Sequence, residues 1–187
     1  KNKKARLGLG ECYQAQAIFD KALKEYLNAT VLDHSDAEGL FRAGTLYLDI
    51  GKFKDAITQF RRAAIVNGLY PRLNYFVGRA YFLNGEYEAA LASSMEERKL
   101  NPNIADSYIL AAEVYSATKQ FQKCAGEYQQ AIKVRNQGAD LYVKAARCYR
   151  QSGSPDIAES MLNIASSQES GYAEIYKEMG AIYETKG

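Results

Sequence analysis

The residues that could carry acid–base or metal chemistry in this sequence are few and scattered. The chain has one histidine, His34, in a segment of turn-forming residues. A zinc site or a general base needs partner side chains at set spacings, and no such partners accompany this histidine. The paired carboxylates Glu86 and Glu88, and Glu96 and Glu97, are typical of solvated helix faces and turns. We therefore expect no catalytic residues, no metal site, no cofactor and no enzymatic activity.

Two further motifs also lack the context that their chemistry requires. The segment GLG at residues 8–10 follows no strand, so it does not predict a phosphate-binding loop. The cysteines Cys12, Cys124 and Cys148 have no CxxC spacing, which argues against a disulfide framework or a metal site. We expect all three to be reduced, small and buried, and reduced thiols favour a cytoplasmic location.

Composition excludes several classes of partner. Among 187 residues, 24 basic and 22 acidic side chains give a net charge of +2, too small to favour nucleic acid or an anionic membrane. No apolar run reaches the roughly 20 residues that a membrane-spanning helix needs. The start has no apolar segment typical of a signal peptide and no initiator Met. We expect the chain to be part of a longer protein.

The strongest feature of the sequence is a 34-residue period. Tyrosine recurs at this interval six times without a slip, and small residues recur in two further columns. The tyrosine column is Tyr13, Tyr47, Tyr81, Tyr115, Tyr149 and Tyr183. The small columns are Gly10, Gly44, Gly78, Ala112, Ala146 and Gly180, and Ala22, Ala56, Ala90, Cys124 and Ala158. Such a period indicates a repeat protein, in which each unit buries its apolar face against the next.

This pattern resembles the tetratricopeptide repeat, with small residues at repeat positions 8 and 20 and tyrosine at position 11. The resemblance implies an all-α fold, a right-handed superhelical solenoid of antiparallel helix pairs with about eleven helices. It also implies one array over residues 1–187. Its repeats span residues 3–36, 37–70, 71–104, 105–138 and 139–172, and a terminal helix covers 173–187.

Packing gives these columns a physical reason. Small residues at positions 8 and 20 let two helices approach closely, and we expect the position 11 ring, for example Tyr81, to fill the space beside them. Glycine at position 15, as in Gly51 and Gly85, suits the left-handed conformation that ends a helix. The first repeat has Ala17 there, so its turn is the least clearly signalled.

The resemblance implies that partners bind along the first helices, at repeat positions 2, 5, 9, 12 and 13. These positions hold an apolar patch flanked by arginines and, further along, a basic end. The candidate residues are Phe41, Leu48, Arg72, Tyr75, Arg79, Phe82, Leu83, Ile109, Lys144, Arg147, Arg150 and Lys177. Aromatic and arginine side chains dominate interface energetics, so we expect a protein or peptide partner with apolar anchors and acidic residues.

Three other functions stay open or are disfavoured. Some members of the family hold chaperone carboxylates with Lys at position 5 and Asn at position 9. Position 5 is apolar in the five full repeats here, and position 9 has no Asn, which disfavours that role. A structural spacer or an oligomerisation segment, acting through the array ends, is the main alternative. An RNA-binding helical repeat is a minor one, and it would predict salt-dependent binding.

Overall fold

The computed structural model describes residues 2–135 and 138–186, which form eleven α-helices and no strand. This confirms the all-α fold class. The helices are α1 (Lys3–Ala15), α2 (Phe19–Leu32), α3 (Glu38–Asp49), α4 (Phe53–Val66), α5 (Leu73–Leu83), α6 (Tyr87–Leu100), α7 (Ala105–Ala117), α8 (Phe121–Arg135), α9 (Ala139–Gln151), α10 (Pro155–Gln168) and α11 (Ala173–Lys186).

The chain divides into two compact units, residues 1–93 and 94–187, which we call unit 1 and unit 2. In unit 1, α1 packs on α2, α3 packs on α4, and α5 contacts both α4 and α3. In unit 2, α7 packs on α8, α9 packs on α10, and α11 contacts both α10 and α9. Consecutive helices therefore pair as the 34-residue period predicts. The individual repeat boundaries and the single array over residues 1–187 stay predictions.

The turn inside each helix pair ends its first helix in the same way. The position 15 residue has a positive φ, and its N–H donates to the position 12 carbonyl while the next N–H donates to the position 11 carbonyl. This pair of bonds is the Schellman motif, which satisfies carbonyls at the end of a helix. The five position 15 residues are Ala17, Gly51, Gly85, Lys119 and Gly153. Ala17 thus forms the turn that its sequence signals least clearly.

Close packing of glycine against a ring joins the helices of the first two pairs. A Cβ added to Gly10 would lie 2.5 Å from Tyr26, and one added to Gly44 would lie 2.5 Å from Phe60. Both rings stand at repeat position 24, and both are almost fully buried. The position 11 tyrosines pack beside this contact, since Tyr47 and Tyr81 lie against the core cluster that contains Phe60. They and their equivalents in the full repeats are half-buried, so in the first two pairs the ring at position 24 lies deeper.

The small column at position 20 is completely buried. Its members are Ala22, Ala56, Ala90, Cys124 and Ala158, each with a relative exposure of 0%. These side chains are the ones that a close helix contact requires to be small.

Helix α6 departs from the apolar pattern. Ser94 and Glu97 stand at positions 24 and 27, where other repeats have a large apolar residue and alanine, and both are buried. The Ser94 hydroxyl donates to the Ser107 carbonyl at 2.6 Å, and the Asn101 amide donates to Glu97 Oε1 at 2.8 Å. Because buried polar groups are costly without partners, these bonds explain how α6 tolerates the exchange.

The cysteines correct the expectation of three buried, reduced thiols. Cys124 of α8 and Cys148 of α9 are buried as expected, but they form a disulfide with a Cα–Cα distance of 5.9 Å. Cys12, on α1, is free and exposed. The cytoplasmic inference therefore loses the support that it took from unpaired cysteines.

Candidate partner-binding site

Helix α5 carries most of the candidate residues of unit 1. Tyr75, Arg79 and Phe82 are separated by four and three residues, so they lie on one helix face, and Leu83 lies beside them. Arg72 stands just before the helix as its N-cap residue. Tyr75 and Phe82 are half-buried, and Leu83 is exposed. We call Leu48, Arg72, Tyr75, Arg79, Phe82 and Leu83 the unit 1 site.

Two guanidinium groups flank the Tyr75 ring. The Cζ atom of Arg72 lies 5.0 Å from the ring centroid, and that of Arg79 lies 6.0 Å from it. Arg79 Nη1 also donates to Tyr75 Oη at 3.3 Å. Cation–π contacts of this length contribute roughly 0.5–2 kcal/mol each, depending on solvent exposure. The two arginines therefore hold the ring in place and surround it with positive charge.

The backbone at Arg72 adopts a left-handed conformation, with a φ of 61°. A residue with a Cβ adopts this conformation at a cost of roughly 1–2 kcal/mol. The turn places the Arg72 side chain over both Tyr75 and Phe76. The strained backbone at Arg72 thus places a side chain against two rings, which a glycine could not do.

Arg79 also has an acidic neighbour on α3. Burial raises the pKa of Asp49, and the positive charge of Arg79 opposes that rise. The unit 1 site therefore combines two cations with a carboxyl group at its edge.

Phe41, one of the predicted groove residues, is mainly a packing residue. Its ring contacts Phe60, Tyr70 and Phe76, with centroid distances of 5.8, 4.8 and 5.0 Å. Leu48 is half-buried against the same core cluster. Position 5 is not uniformly open to a partner, because Leu7 and Val143 at this position are buried against neighbouring helices.

Three basic candidate residues of unit 2, Lys144, Arg147 and Arg150, are paired with acids inside the chain. Arg147 Nε lies 2.6 Å from Glu178 Oε1, and Arg150 Nη2 lies 3.1 Å from Glu178 Oε2. Lys144 Nζ lies 3.9 Å from Glu113. Lys177 is exposed, and Ile109 is half-buried in the core cluster of α7, α8 and α9. We call Ile109, Lys144, Arg147, Arg150 and Lys177 the unit 2 site.

Sequence reasoning missed the acidic partners, although a signal for them exists. Glu11 and Arg42, and Arg147 and Glu178, are each separated by 31 residues and form ion pairs. Lys144 follows Glu113 at the same interval. This interval joins position 9 of one repeat to position 6 of the next. A charge at position 9 with an opposite charge 31 residues later thus indicates a contact between first helices.

The described residues offer little for other chemistry. Among residues 2–135 and 138–186, no group of three or more His, Cys, Asp or Glu side chains is placed to hold a metal ion. His34 is exposed beside a shallow pocket of about 290 Å³, which Arg62 and Ile65 also line. Over the same part of the chain, every helix is too short or too polar to cross a membrane.

A second surface feature lies on the second helices. Four large apolar side chains are mostly exposed there or in the following loop, with Ile65 at 85% and Leu69 at 75%. The other two are Val31 and Met95. Exposed apolar side chains of this kind mark contacts with other proteins when they are contiguous.

Comparisons with known proteins point to one family. The family model of the tetratricopeptide repeat matches residues 41–102. A probable UDP-N-acetylglucosamine–peptide N-acetylglucosaminyltransferase, SPINDLY of Hordeum vulgare, is 26% identical over 141 residues. That match covers 72% of this chain but only 15% of the barley protein, so the chain spans a small part of this relative.

Two solved structures have a similar fold. The crystal structure of MamA superposes with a TM-score of 0.81 at 24% identity, covering 92% of this chain and 94% of MamA. YrrB, described as a tetratricopeptide-repeat protein with an unusual peptide-binding site, superposes with a TM-score of 0.76 at 17% identity. That match covers 96% of this chain and 92% of YrrB.

Proposed function

We propose that this chain, whose residues 41–102 match the family model of the tetratricopeptide repeat, is a protein-interaction scaffold that binds a partner peptide or helix at the unit 1 site. The repeat fold itself is a non-catalytic scaffold, and we assign this chain no reaction of its own. The unusual peptide-binding site of YrrB is consistent with such a role for the fold.

One observation carries the proposal: the half-buried Tyr75 ring has two guanidinium groups within 5.0 and 6.0 Å of its centroid. Tyrosine and arginine are among the residue types most enriched at interface hot spots. Phe82 and Leu83 extend the apolar surface along the same helix face. A partner segment with bulky apolar residues and at least one acidic group fits this combination.

The ion pairs of Glu178 argue against the unit 2 site as the main place of binding. An acidic partner at the unit 2 site would compete with Glu178, which already holds Arg147 and Arg150. Glu178 is buried, so its side chain is already ordered and loses little further conformational entropy by holding the two arginines. The absence of Lys at position 5 of the full repeats also argues against chaperone-type carboxylate binding.

The test is quantitative binding by a Tyr75→Ala, Phe82→Ala double variant. A partner is first captured by the wild-type chain, and its affinity is then measured by calorimetry against wild type and variant. Losing central aromatic anchors typically costs about 2 kcal/mol or more, which weakens binding roughly thirtyfold. Tyr183→Ala is the control, since it removes an exposed tyrosine from unit 2. Unchanged affinity in a double variant with wild-type helicity would refute the unit 1 site.

Assembly through the outer surface is the second candidate function. It is favoured by the exposure of Val31, Ile65 and Leu69 in unit 1 and of Met95 in unit 2, which binding at the unit 1 site would not require. Sedimentation velocity distinguishes the two functions. A concentration-dependent increase in mass that Ile65→Lys abolishes would support assembly, whereas a monomer at all concentrations would exclude self-association.

A further inference from the structure

The sequence contains two Asn–Gly pairs, Asn67–Gly68 and Asn84–Gly85. In such a pair the backbone nitrogen of glycine can attack the side-chain amide of asparagine, because glycine has no Cβ to hinder the approach. Both pairs belong to unit 1, but the first lies in the loop between α4 and α5 and the second directly follows α5. The same chemistry can therefore be compared at two places within one chain.

The structure leaves Asn67–Gly68 open to this reaction. Asn67 is the C-cap residue of α4, with an extended backbone, and both residues are exposed. Among the residues that the structure describes, none accepts a hydrogen bond from the Gly68 N–H, so the attacking nitrogen can lose its proton to water. The Leu69 N–H donates to Asn67 Oδ1 at 3.1 Å, which folds the side chain over the following peptide and polarises the amide that is attacked.

The structure protects Asn84–Gly85 from the same reaction. Gly85 is the position 15 residue of its repeat, and its N–H donates to the Phe82 carbonyl at 3.0 Å within the Schellman motif. The Asn84 side-chain amide donates to Glu86 Oε1 at 2.5 Å. Attack by the Gly85 nitrogen would therefore require the turn to open and both hydrogen bonds to break.

We propose that Asn67 is a site of covalent modification, at which the chain deamidates spontaneously through a succinimide. Gly68 N forms a bond to Asn67 Cγ and gives up its proton, while the bond from Cγ to the amide nitrogen breaks and ammonia leaves. Water then opens the five-membered ring. Breaking the ring bond to Cγ gives aspartate, and breaking the bond to the original backbone carbonyl gives isoaspartate, whose main chain runs through Cγ.

The isoaspartate product would disrupt the turn that leads into α5. In the native loop the Tyr70 N–H donates to the Asn67 carbonyl at 3.1 Å. In isoaspartate this carbonyl becomes a free carboxylate beside a main chain that is one methylene longer, so the turn loses its geometry. The loop ends at Arg72, the N-cap residue of α5, and we expect trypsin to cleave after Arg72 faster in the modified chain.

The test follows both Asn–Gly pairs while the folded wild-type chain is incubated at neutral pH. Digestion in acid and mass spectrometry give the fraction of each pair converted, from the mass difference between an amide and a carboxylic acid. We expect Asn67 to convert at least about tenfold faster than Asn84, because the Asn84 pair reacts only after its hydrogen bonds break. In the chain denatured by guanidinium the two pairs should convert at similar rates, since the fold causes the difference.

The key variant is Gly68→Ala, whose methyl group hinders the attack on Asn67. Gly68 is not among the residues with a positive φ, and an added Cβ would lie 3.4 Å from the Ala64 carbonyl oxygen, so the fold should tolerate alanine. Conversion of Asn67 should slow severalfold in this variant. Gly8→Ala on α1 is the control, because an added Cβ there has no atom within 4 Å, and it should leave the rate unchanged.

Three results would overturn the proposal. They are conversion of Asn67 no faster than that of Asn84 in the folded chain, conversion of Gly68→Ala at the wild-type rate, and equal trypsin cleavage after Arg72 in fresh and converted chains. Because these measurements involve no partner, they are independent of binding at the unit 1 site.

Discussion

Units 1 and 2 use their cations in different ways. In unit 1, Arg72 and Arg79 surround the face and edge of Tyr75. In unit 2, Arg147 and Arg150 share the buried carboxylate of Glu178, which belongs to the next first helix. Arginines at similar repeat positions thus contact an aromatic ring in unit 1 and join two first helices in unit 2.

The difference shows that composition at a repeat position does not by itself identify a binding residue. Arg42 in unit 1 behaves as the unit 2 arginines do, because it pairs with Glu11 of the preceding first helix. The arginines differ in what their guanidinium groups contact: Arg72 and Arg79 lie against an aromatic ring, and Arg42, Arg147 and Arg150 bind a carboxylate of another first helix. A cation of the second kind joins neighbouring repeats, and a partner would have to compete with that carboxylate.

The largest expected effect is on the free energy of unfolding, and it distinguishes the buried ring of Phe60 from the half-buried ring of Tyr75. Phe60→Ala should lower the free energy of unfolding by about 3–5 kcal/mol, because Phe60 is fully buried over Gly44. Tyr75→Ala should cost only about 1 kcal/mol, since its ring is half-buried. Urea denaturation of both variants tests this, and equal losses would mean that Tyr75 is also a packing residue.

Reduction of the disulfide should affect unit 2 alone. Cys124 and Cys148 are 24 residues apart, and closing a loop of that size stabilises a protein by roughly 2–4 kcal/mol. Hydrogen exchange with and without reductant should show faster exchange in α8 and α9, and no change in α3 and α4. A Cys12→Ser background removes the free thiol as a source of cross-linking. Uniform acceleration along the chain would contradict this localisation.

Removing the shared carboxylate should open the arginines of unit 2 to an acidic partner. Glu178→Gln should destabilise the chain by about 1–3 kcal/mol, because it leaves two guanidinium groups without their anionic partner. It should also strengthen the binding of an acidic peptide at the unit 2 site. Glu184→Gln on the same helix is exposed and should change neither quantity. If both variants bind alike, Glu178 does not limit access to the arginines.

The smallest expected effect concerns the turns that position the first helices. Lys119 adopts a φ of 58° in unit 2, at a position where Gly51 and Gly85 serve in unit 1. Lys119→Gly should therefore raise the free energy of unfolding by about 0.5–1 kcal/mol, as measured by thermal denaturation. Gly153→Ala should lower it by a similar amount. A loss of stability in the first variant, or a gain in the second, would mean that the left-handed turn costs nothing here.

Much of the fold can be predicted from the period of the sequence. The tyrosine and small-residue columns predict the helix pairs, because each repeat must bury the same face against the next. They do not determine which ring lies deepest. Tyr47 and Phe60 are both large and both stand in recurring columns, but only the Phe60 ring lies directly over Gly44.

Contacts between helices, in the candidate sites and elsewhere, are less predictable from the sequence than the fold. Cys124 and Cys148 lie on different helices, so their proximity depends on the packing of α8 on α9 rather than on local sequence. The same holds for the ion pair of Arg147 and Glu178. Sequence position correctly indicates that Tyr75 and Arg79 share a helix face, because both lie within one helix.

The central claim is that partners bind the unit 1 site, and amide NMR during titration with the captured partner segment tests it most directly. We expect the largest shifts for Tyr75, Arg79 and Phe82 of α5, with smaller shifts in α3. The amides of Arg147 and Arg150 in α9 should stay unchanged. Largest shifts in α9 and α11, or on the exposed side of α4 around Ile65, would contradict binding at the unit 1 site.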